Sequence, residues 1–191
     1  MTTVKELSLN ILDIAENSVK AGAALTEILL TETADTLELT IRDDGCGMDA
    51  ETVRRVTDPF YTTRTTRAVG MGLPLLKLEA EQTGGTMCVT SRDAATYPDS
   101  HGTAVTAVFC TGHIDCVPLG DVVSTVTTLI QGHPDTDFRF CHRRPAGEPV
   151  ELDTRELRAV LEDVPLDSFE VLQWIQGDLR EQYGAAPDDI P

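Results

Sequence analysis

Basic residues are scarce in this chain. Its 191 residues include 15 Lys and Arg against 32 Asp and Glu, a formal charge of -17, and a surface of that sign repels a nucleic-acid backbone and an anionic bilayer alike. DNA, RNA and membrane surfaces are therefore poor partners. Long apolar runs are missing as well: nowhere do about 18 uninterrupted apolar residues occur, and Met1 to Ala15 has no basic stretch leading into an apolar one, which argues against a spanning helix and an export signal. A cytoplasmic address is the expectation. The five cysteines, Cys46, Cys88, Cys110, Cys116 and Cys141, are odd in number and form no C-x-x-C pair, so neither a disulfide framework nor a zinc knuckle is indicated. Reduced, mostly buried thiols are expected. Internal repeats and low-complexity tracts are absent.

What is present is ordinary for a folded protein: 41% hydrophobic and 25% charged residues, in a length that suits one domain or one domain with an extension. Leu7, Ile11, Ile14, Ala15 and Ser18 recur at helical spacing, and the pattern stops at Ala21-Gly22. Thr26 to Thr33 and Thr36 to Arg42 are β-branched segments separated by Ala34-Asp35, which predicts a hairpin. Asp49 to Val56 suits a short helix, Asp58 to Gly70 a loop, and Leu73 to Gln82 a helix closed by Gly84-Gly85. Thr86 to Ser91 and Thr103 to Cys110 alternate as strands do. Beyond Thr111 the character changes, placing a boundary near residue 112 between a first unit, 1-112, and a C-terminal α/β extension, 113-191. In the extension an amphipathic stretch covers Asp121 to Gln131 and a strand Asp137 to His142. Helix starts are signalled by Asp153-Thr154-Arg155-Glu156 and Asp167-Ser168-Phe169-Glu170. Phe169 and Trp174 are expected in the core, and the tail from Gly184 is expected to be loose.

The chemistry concentrates in the first 103 residues. Asn10, Asp13, Asn17 and Lys20 lie three and four apart and so share one helix face, which can line a site or simply face solvent. Asp43-Asp44-Gly45-Cys46-Gly47 follows a predicted strand and sets one carboxylate beside two residues that admit close backbone approach. The same spacing also occurs in plain turns. Further on, Asp58-Pro59-Phe60 with Thr62, Thr63 and Arg64 precedes Gly70-Met71-Gly72-Leu73, where a glycine pair opens a helix whose N-terminal amides suit phosphate. Gly102-Thr103 starts a strand, where a hydroxyl next to a Gly could complete a base pocket or simply open the strand.

In this order and at these intervals the segments resemble the nucleotide-binding boxes of the ATPase superfamily named for gyrase, heat-shock chaperones, histidine kinases and MutL. The resemblance spans residues 5 to 110. It implies a Bergerat-type fold: an α/β (α+β) two-layer sandwich with a mixed sheet, helices on one face, and a lid at Thr57 to Val69. Carried over, it implies that Mg-ATP is the cofactor. Asn17 would coordinate Mg²⁺, Lys20 would touch phosphate, and Asp43 with Thr103 would read the adenine amino group. Gly45, Gly47, Gly70, Gly72 and Leu73 would border the nucleotide, and Thr62, Thr63 and Arg64 would meet the triphosphate. An amide oxygen is the kind of hard ligand Mg²⁺ takes.

Within that superfamily the lid resembles a histidine kinase, whereas Glu16-Asn17-Ser18 with Ala21-Gly22-Ala23 is similar to the MutL branch too. None of the four histidines heads a long N-terminal helix pair, so the chain is expected to act as an isolated catalytic domain. Asp13 stands where the hydrolases and anti-sigma serine kinases of the superfamily carry a Glu general base. It is shorter by about 1.5 Å, and bases misplaced by about 1 Å lose much of their rate, so slow turnover is expected; Glu16, turned away on the helix, is expected on the surface. His113-Ile114-Asp115, Pro118-Leu119-Gly120-Asp121 and Leu152 to Glu156 resemble small stand-alone bacterial members of the superfamily. Two functions follow from the resemblance: phosphoryl transfer to a partner protein in signalling, or an ATP-gated interaction switch with slow hydrolysis.

Overall fold

The computed structural model describes residues 6–56 and 72–184. Helix α1 (Leu7–Lys20) forms from the predicted stripe, with Leu7, Ile11, Ile14, Ala15 and Ser18 all buried. The hairpin β1 (Leu25–Glu32) and β2 (Thr36–Asp43) follows, its turn closed by the Thr33 amide donating to the Thr36 carbonyl at 2.8 Å. Helix α2 (Ala50–Arg55) starts where the Asp49 carboxylate accepts from the Thr52 amide at 2.7 Å. After α3 (Gly72–Gln82) come β3 (Thr86–Arg92) and β4 (Gly102–Cys110), then α4 (Val122–Gly132), capped by Asp121 accepting from the Ser124 amide. β5 (Asp137–Arg143), β6 (Val150–Asp153), α5 (Thr154–Leu161) and α6 (Phe169–Gln182) complete the order.

The strands join in one six-stranded sheet of order β3-β4-β2-β1-β5-β6. Every neighbouring pair is antiparallel except β1 and β5, which run parallel. Alternation sorts the side chains: Ile28, Leu30, Leu37, Leu39, Ile41, Val105, Ala107 and Phe109 are buried toward the helices, while Glu38, Arg42, Thr86, Cys88 and Arg92 alternate with the inward set and are exposed. Helices α3, α1, α4 and α6 lie over the sheet in that sequence, α3 on β3 and β4, α1 on β1 and β2, α4 on β5, α6 on β6. The expected two-layer α/β sandwich with a mixed sheet and helices on one face is what the chain adopts. Each fully buried Leu or Ile, such as Ile28 or Leu76, contributes about 1.5–3 kcal/mol.

Residues on both sides of position 112 share this sheet and one hydrophobic core. The connection reaches α1 directly, with the Leu7 and Ser8 amides donating to the Pro118 and Leu119 carbonyls at 2.9 and 2.8 Å. At the far edge, the Gln182 side chain takes the place of a seventh strand: its Oε1 accepts from the Glu151 amide at 2.8 Å and its Nε2 donates to the Glu151 carbonyl at 3.1 Å. Among the described residues no helix is long and apolar enough to cross a membrane.

Several local expectations are corrected. Strand β6 has no counterpart in the sequence reading, because four residues of V-E-L-D alternation are too short a period to separate from the helix start that follows. Phe169 and Trp174 are 69% and 55% exposed. Helix α6 covers only a narrow sheet edge, so it buries a single line of residues, Val171, Ile175 and Leu179, and the two aromatics fall off that line. The cap of α6 is Ser168, without a side-chain cap bond, and not Asp167. Of the cysteines only Cys141 is buried, while Cys46 and Cys88 are exposed, because Cys46 sits in a turn and Cys88 on the outward side of an edge strand.

One buried polar cluster ties the C-terminal helix to the sheet. His142 on β5 is 2% exposed; its Nδ1 lies 2.7 Å from the Tyr183 hydroxyl and its Nε2 3.1 Å from the Glu32 carboxylate. Burial outweighs the attraction of Glu32 and, with Arg144 adding to it, lowers the His142 pKa below the ordinary histidine range. The unfolded chain therefore binds a proton that the folded chain refuses, so stability rises with pH and is lost as pH falls below about 6.5. Urea titrations between pH 7 and pH 5 should show this loss, up to about 1.4 kcal/mol per pH unit. His142→Asn should flatten the slope in that window. An unchanged slope in the variant would assign the acid sensitivity elsewhere.

Candidate functional site

The end of β2 brings the first site residue into place. Asp43 faces the helix layer, and its carboxylate is pinned from two sides: Oδ2 accepts from the Ser18 hydroxyl at 2.8 Å and Oδ1 from the Gly45 amide at 2.9 Å. Register places it in a row across the sheet, with Thr26 opposite on β1, Thr103 opposite on β4, and Ser91 beyond Thr103 on β3. The Ser91 hydroxyl lies 2.8 Å from that of Thr103, donates to the Gly102 carbonyl at 2.9 Å, and accepts from the Met48 amide at 2.8 Å. Thr26 is fully buried, and its hydroxyl has no partner among the described residues. A buried hydroxyl left without a hydrogen bond costs about 1–3 kcal/mol.

The turn after Asp43 is held by its own backbone. The Asp44 carboxylate accepts from the Ala24 and Leu25 amides at 2.8 and 2.9 Å, and the Cys46 amide donates to the Ala21 carbonyl at 2.9 Å. Gly45 is buried where a Cβ would come within 2.9 Å of Ala21 Cβ. Gly47 has φ +66°, and a Cβ there would run into the Arg92 carbonyl. The space beside both glycines is thus taken by protein, which brings α1, the turn and β3 together around Asp43. His101 adds a clasp, its Nδ1 lying 2.6 Å from the Gly45 carbonyl.

On α1, Asp13, Asn17 and Lys20 are exposed and Asn10 is half-buried. Asp13 and Asn17 make no side-chain hydrogen bond or ion pair among the described residues. The start of α3 meets this face: a Cβ at Gly72 would stand 3.4 Å from Asp13 Cβ and 3.6 Å from its Oδ2. The N-terminus of α3, an end of the helix dipole that favours negative charge, therefore lies beside the α1 stripe. Leu73 follows, packed against the core. Asn10 donates to the buried Glu79 carboxylate on α3, tying the two helices. Thr62, Thr63, Arg64 and Gly70 lie outside the described residues.

Two features of α1 go beyond the sequence reading. Glu16 is only partly exposed: its carboxylate lies 2.7 Å from His133 Nε2 at the end of α4 and 3.5 Å from Lys20 Nζ. The His133 hydrogen bond, against the opposing effect of burial and with help from Lys20, holds the Glu16 carboxyl below its usual value. Ser18 is the other. It belongs to the buried stripe, as expected, yet its hydroxyl holds Asp43; a lone Ser among apolar stripe residues was the available signal. Thr26 and Ser91 join the row only through strand register, which local pattern does not give.

The model of the family described as histidine kinase-, DNA gyrase B- and HSP90-like ATPase matches residues 2–112. The sensor protein kinase FleS of Pseudomonas aeruginosa is 41% identical over 58 residues, 29% of this chain and 14% of that protein. A putative sensor protein of Shewanella frigidimarina is 32% identical over 85 residues, 42% of this chain and 13% of its own length. The chain thus spans less than a fifth of either relative. Among solved structures, the N-terminal domain of a DNA repair protein superposes with a TM-score of 0.54 at 18% identity, covering 78% of this chain and 52% of that one. At that identity the likeness concerns the fold alone.

Proposed function

This chain belongs to the histidine kinase-, DNA gyrase B- and HSP90-like ATPase family, and from that premise we propose that it binds Mg-ATP at the site just described and transfers the γ-phosphoryl group to a partner protein in signalling, in the cytoplasm. The observation that carries the proposal is the convergence of the Thr26, Asp43, Thr103 and Ser91 row, the exposed Asp13 and Asn17 face of α1, and the terminus of α3 at Gly72. In this reading Asp43 and Thr103 accept from and donate to the adenine edge, and Asn17 offers its amide oxygen to Mg²⁺, which takes few protein ligands and most of the rest from phosphate and water. Lys20, released from Glu16, balances phosphate charge, while Gly45, Gly47, Gly70, Gly72 and Leu73 shape the border and Thr62, Thr63 and Arg64 close over the triphosphate. Bound Mg²⁺ neutralises charge that develops on the transferring group.

Asp13 is the candidate base. It sits against Gly72 and has no hydrogen-bond or ion-pair partner among the described residues, so in this reading it accepts a proton, and its short side chain favours slow turnover. That feature also supports a second reading, an ATP-gated interaction switch in which hydrolysis only resets the state. Residues 1-112 would carry the nucleotide and 113-191 would dock the partner, with Glu16 and His133 linking α1 to α4. Incubating the protein with γ-labelled ATP, Mg²⁺ and a cell lysate separates the readings: label on a protein band supports transfer, and free phosphate alone supports the switch. Asn17→Ala should abolish either signal; label transfer undiminished in that variant would remove Asn17 from the site.

A further inference from the structure

Lys20 has a competitor for its charge on its own helix. Glu16 lies one turn back, where side chains four apart meet, and its Oε2 stands 3.5 Å from Lys20 Nζ while its Oε1 stands 2.7 Å from His133 Nε2. These are the ion-pair contacts of Glu16 among the described residues. One carboxylate is therefore shared unequally: its short contact faces α4, and its long one faces the stripe that also carries Asp13 and Asn17. A Lys20 drawn fully onto Glu16 would have its charge neutralised before any phosphate arrived. The contact with His133 turns the carboxylate the other way.

The imidazole is held where this requires it. His133 closes α4, its amide donating to the Leu129 carbonyl at 3.0 Å, and its carbonyl accepts from the Thr136 amide at 3.0 Å. Pro134 fixes φ inside that turn. Arg158 of α5 ties the turn down, donating to the Pro134 carbonyl and, at 2.8 Å, to the Asp137 carboxylate. Every anchor of the histidine thus lies beyond residue 112, on α4, α5 and the turn before β5, whereas the lysine at the end of the relay belongs to α1.

We propose that His133 is a positioning residue for nucleotide binding: by holding the Glu16 carboxylate toward α4 it leaves Lys20 available to the phosphates of Mg-ATP, so that residues 113-191 set the affinity of the α1 site. The inference rests on the nucleotide reading above. Calorimetry of Mg-ATP on the full chain tests it. His133→Ala should weaken Mg-ATP by about three- to fivefold, the upper range for a partly exposed ion pair, because Glu16 then closes on Lys20. His133→Gln, which keeps an N–H donor for the carboxylate, should bind within about twofold of the wild type. Adding Glu16→Gln to His133→Ala removes the competing charge and should return affinity to the wild-type value or above it. A histidine that only packed α4 would give no such rescue. The variants are compared at a temperature where circular dichroism shows them folded, and should His133→Ala not fold, Glu16→Gln alone decides, with an expected tightening of about twofold. The inference is overturned if His133→Ala binds as the wild type does, if Glu16→Gln fails to restore the double variant, or if Glu16→Gln alone does not tighten binding. No heat from the wild-type chain with Mg-ATP would remove the nucleotide reading itself, and this inference with it.

Discussion

Asp43→Asn should weaken Mg-ATP by about ten- to a hundredfold while leaving inorganic tripolyphosphate within about threefold, since a hydrogen bond to a charged group is worth about 1.5–3 kcal/mol. The geometry makes the loss specific. Both oxygens of Asp43 are fixed, by Ser18 and by the Gly45 amide, and each keeps a further lone pair for a ligand. An Asn at this position can satisfy one of those fixed donors, but it turns an N–H toward the other or toward the ring. Tripolyphosphate has no adenine edge and should notice little. Calorimetry with both compounds checks this, and an equal loss for the two would mean that the substitution acts by disturbing the turn, leaving the adenine assignment without support.

The second large effect concerns Gly47. With φ +66° and the Arg92 carbonyl in the place a Cβ would occupy, Gly47→Ala combines two costs, a left-handed backbone that L residues avoid and a backbone overlap that cannot relax by a rotamer change. A loss of about 3 kcal/mol is expected, seen as a fall of roughly 6–12 °C in Tm for a chain of this size. Gly84→Ala is the control, because Gly84 also has a positive φ, +84°, but open space around it; it should lose only about 1 kcal/mol. If the two variants melt together, the approach of the turn to β3 is not what demands glycine there.

These outcomes bear on how far the sequence could be read. The apolar stripe of α1, the hairpin and the alternation of β3 and β4 are local periodicities, and the chain realises them. The two-layer sandwich was implied by the resemblance that the ordered motifs carry. What escaped was set by partners distant in sequence. That β5 would run parallel beside β1, or that Thr26 and Ser91 would stand level with Asp43 and Thr103, depends on register between strands up to 112 positions apart, which no local window contains. The aromatic residues of α6 misled for a related reason: burial of Phe169 and Trp174 depended on the width of sheet beneath the helix, and β6 is only four residues long. Gly45 and Gly47 showed that close approach was needed, without showing that Ala21 and Arg92 were what approached.

The amide of Gln182 against Glu151 bears on how copies of this chain can meet. Runaway polymerisation through sheets needs two open borders, one to receive and one to offer. Here one border is already shut by the molecule's own carboxamide, and a strand arriving at β6 would have to break both of those bonds first. Ribbon-like assembly of many copies is therefore disfavoured at its first repeat, by the two hydrogen bonds that an incoming strand would have to replace.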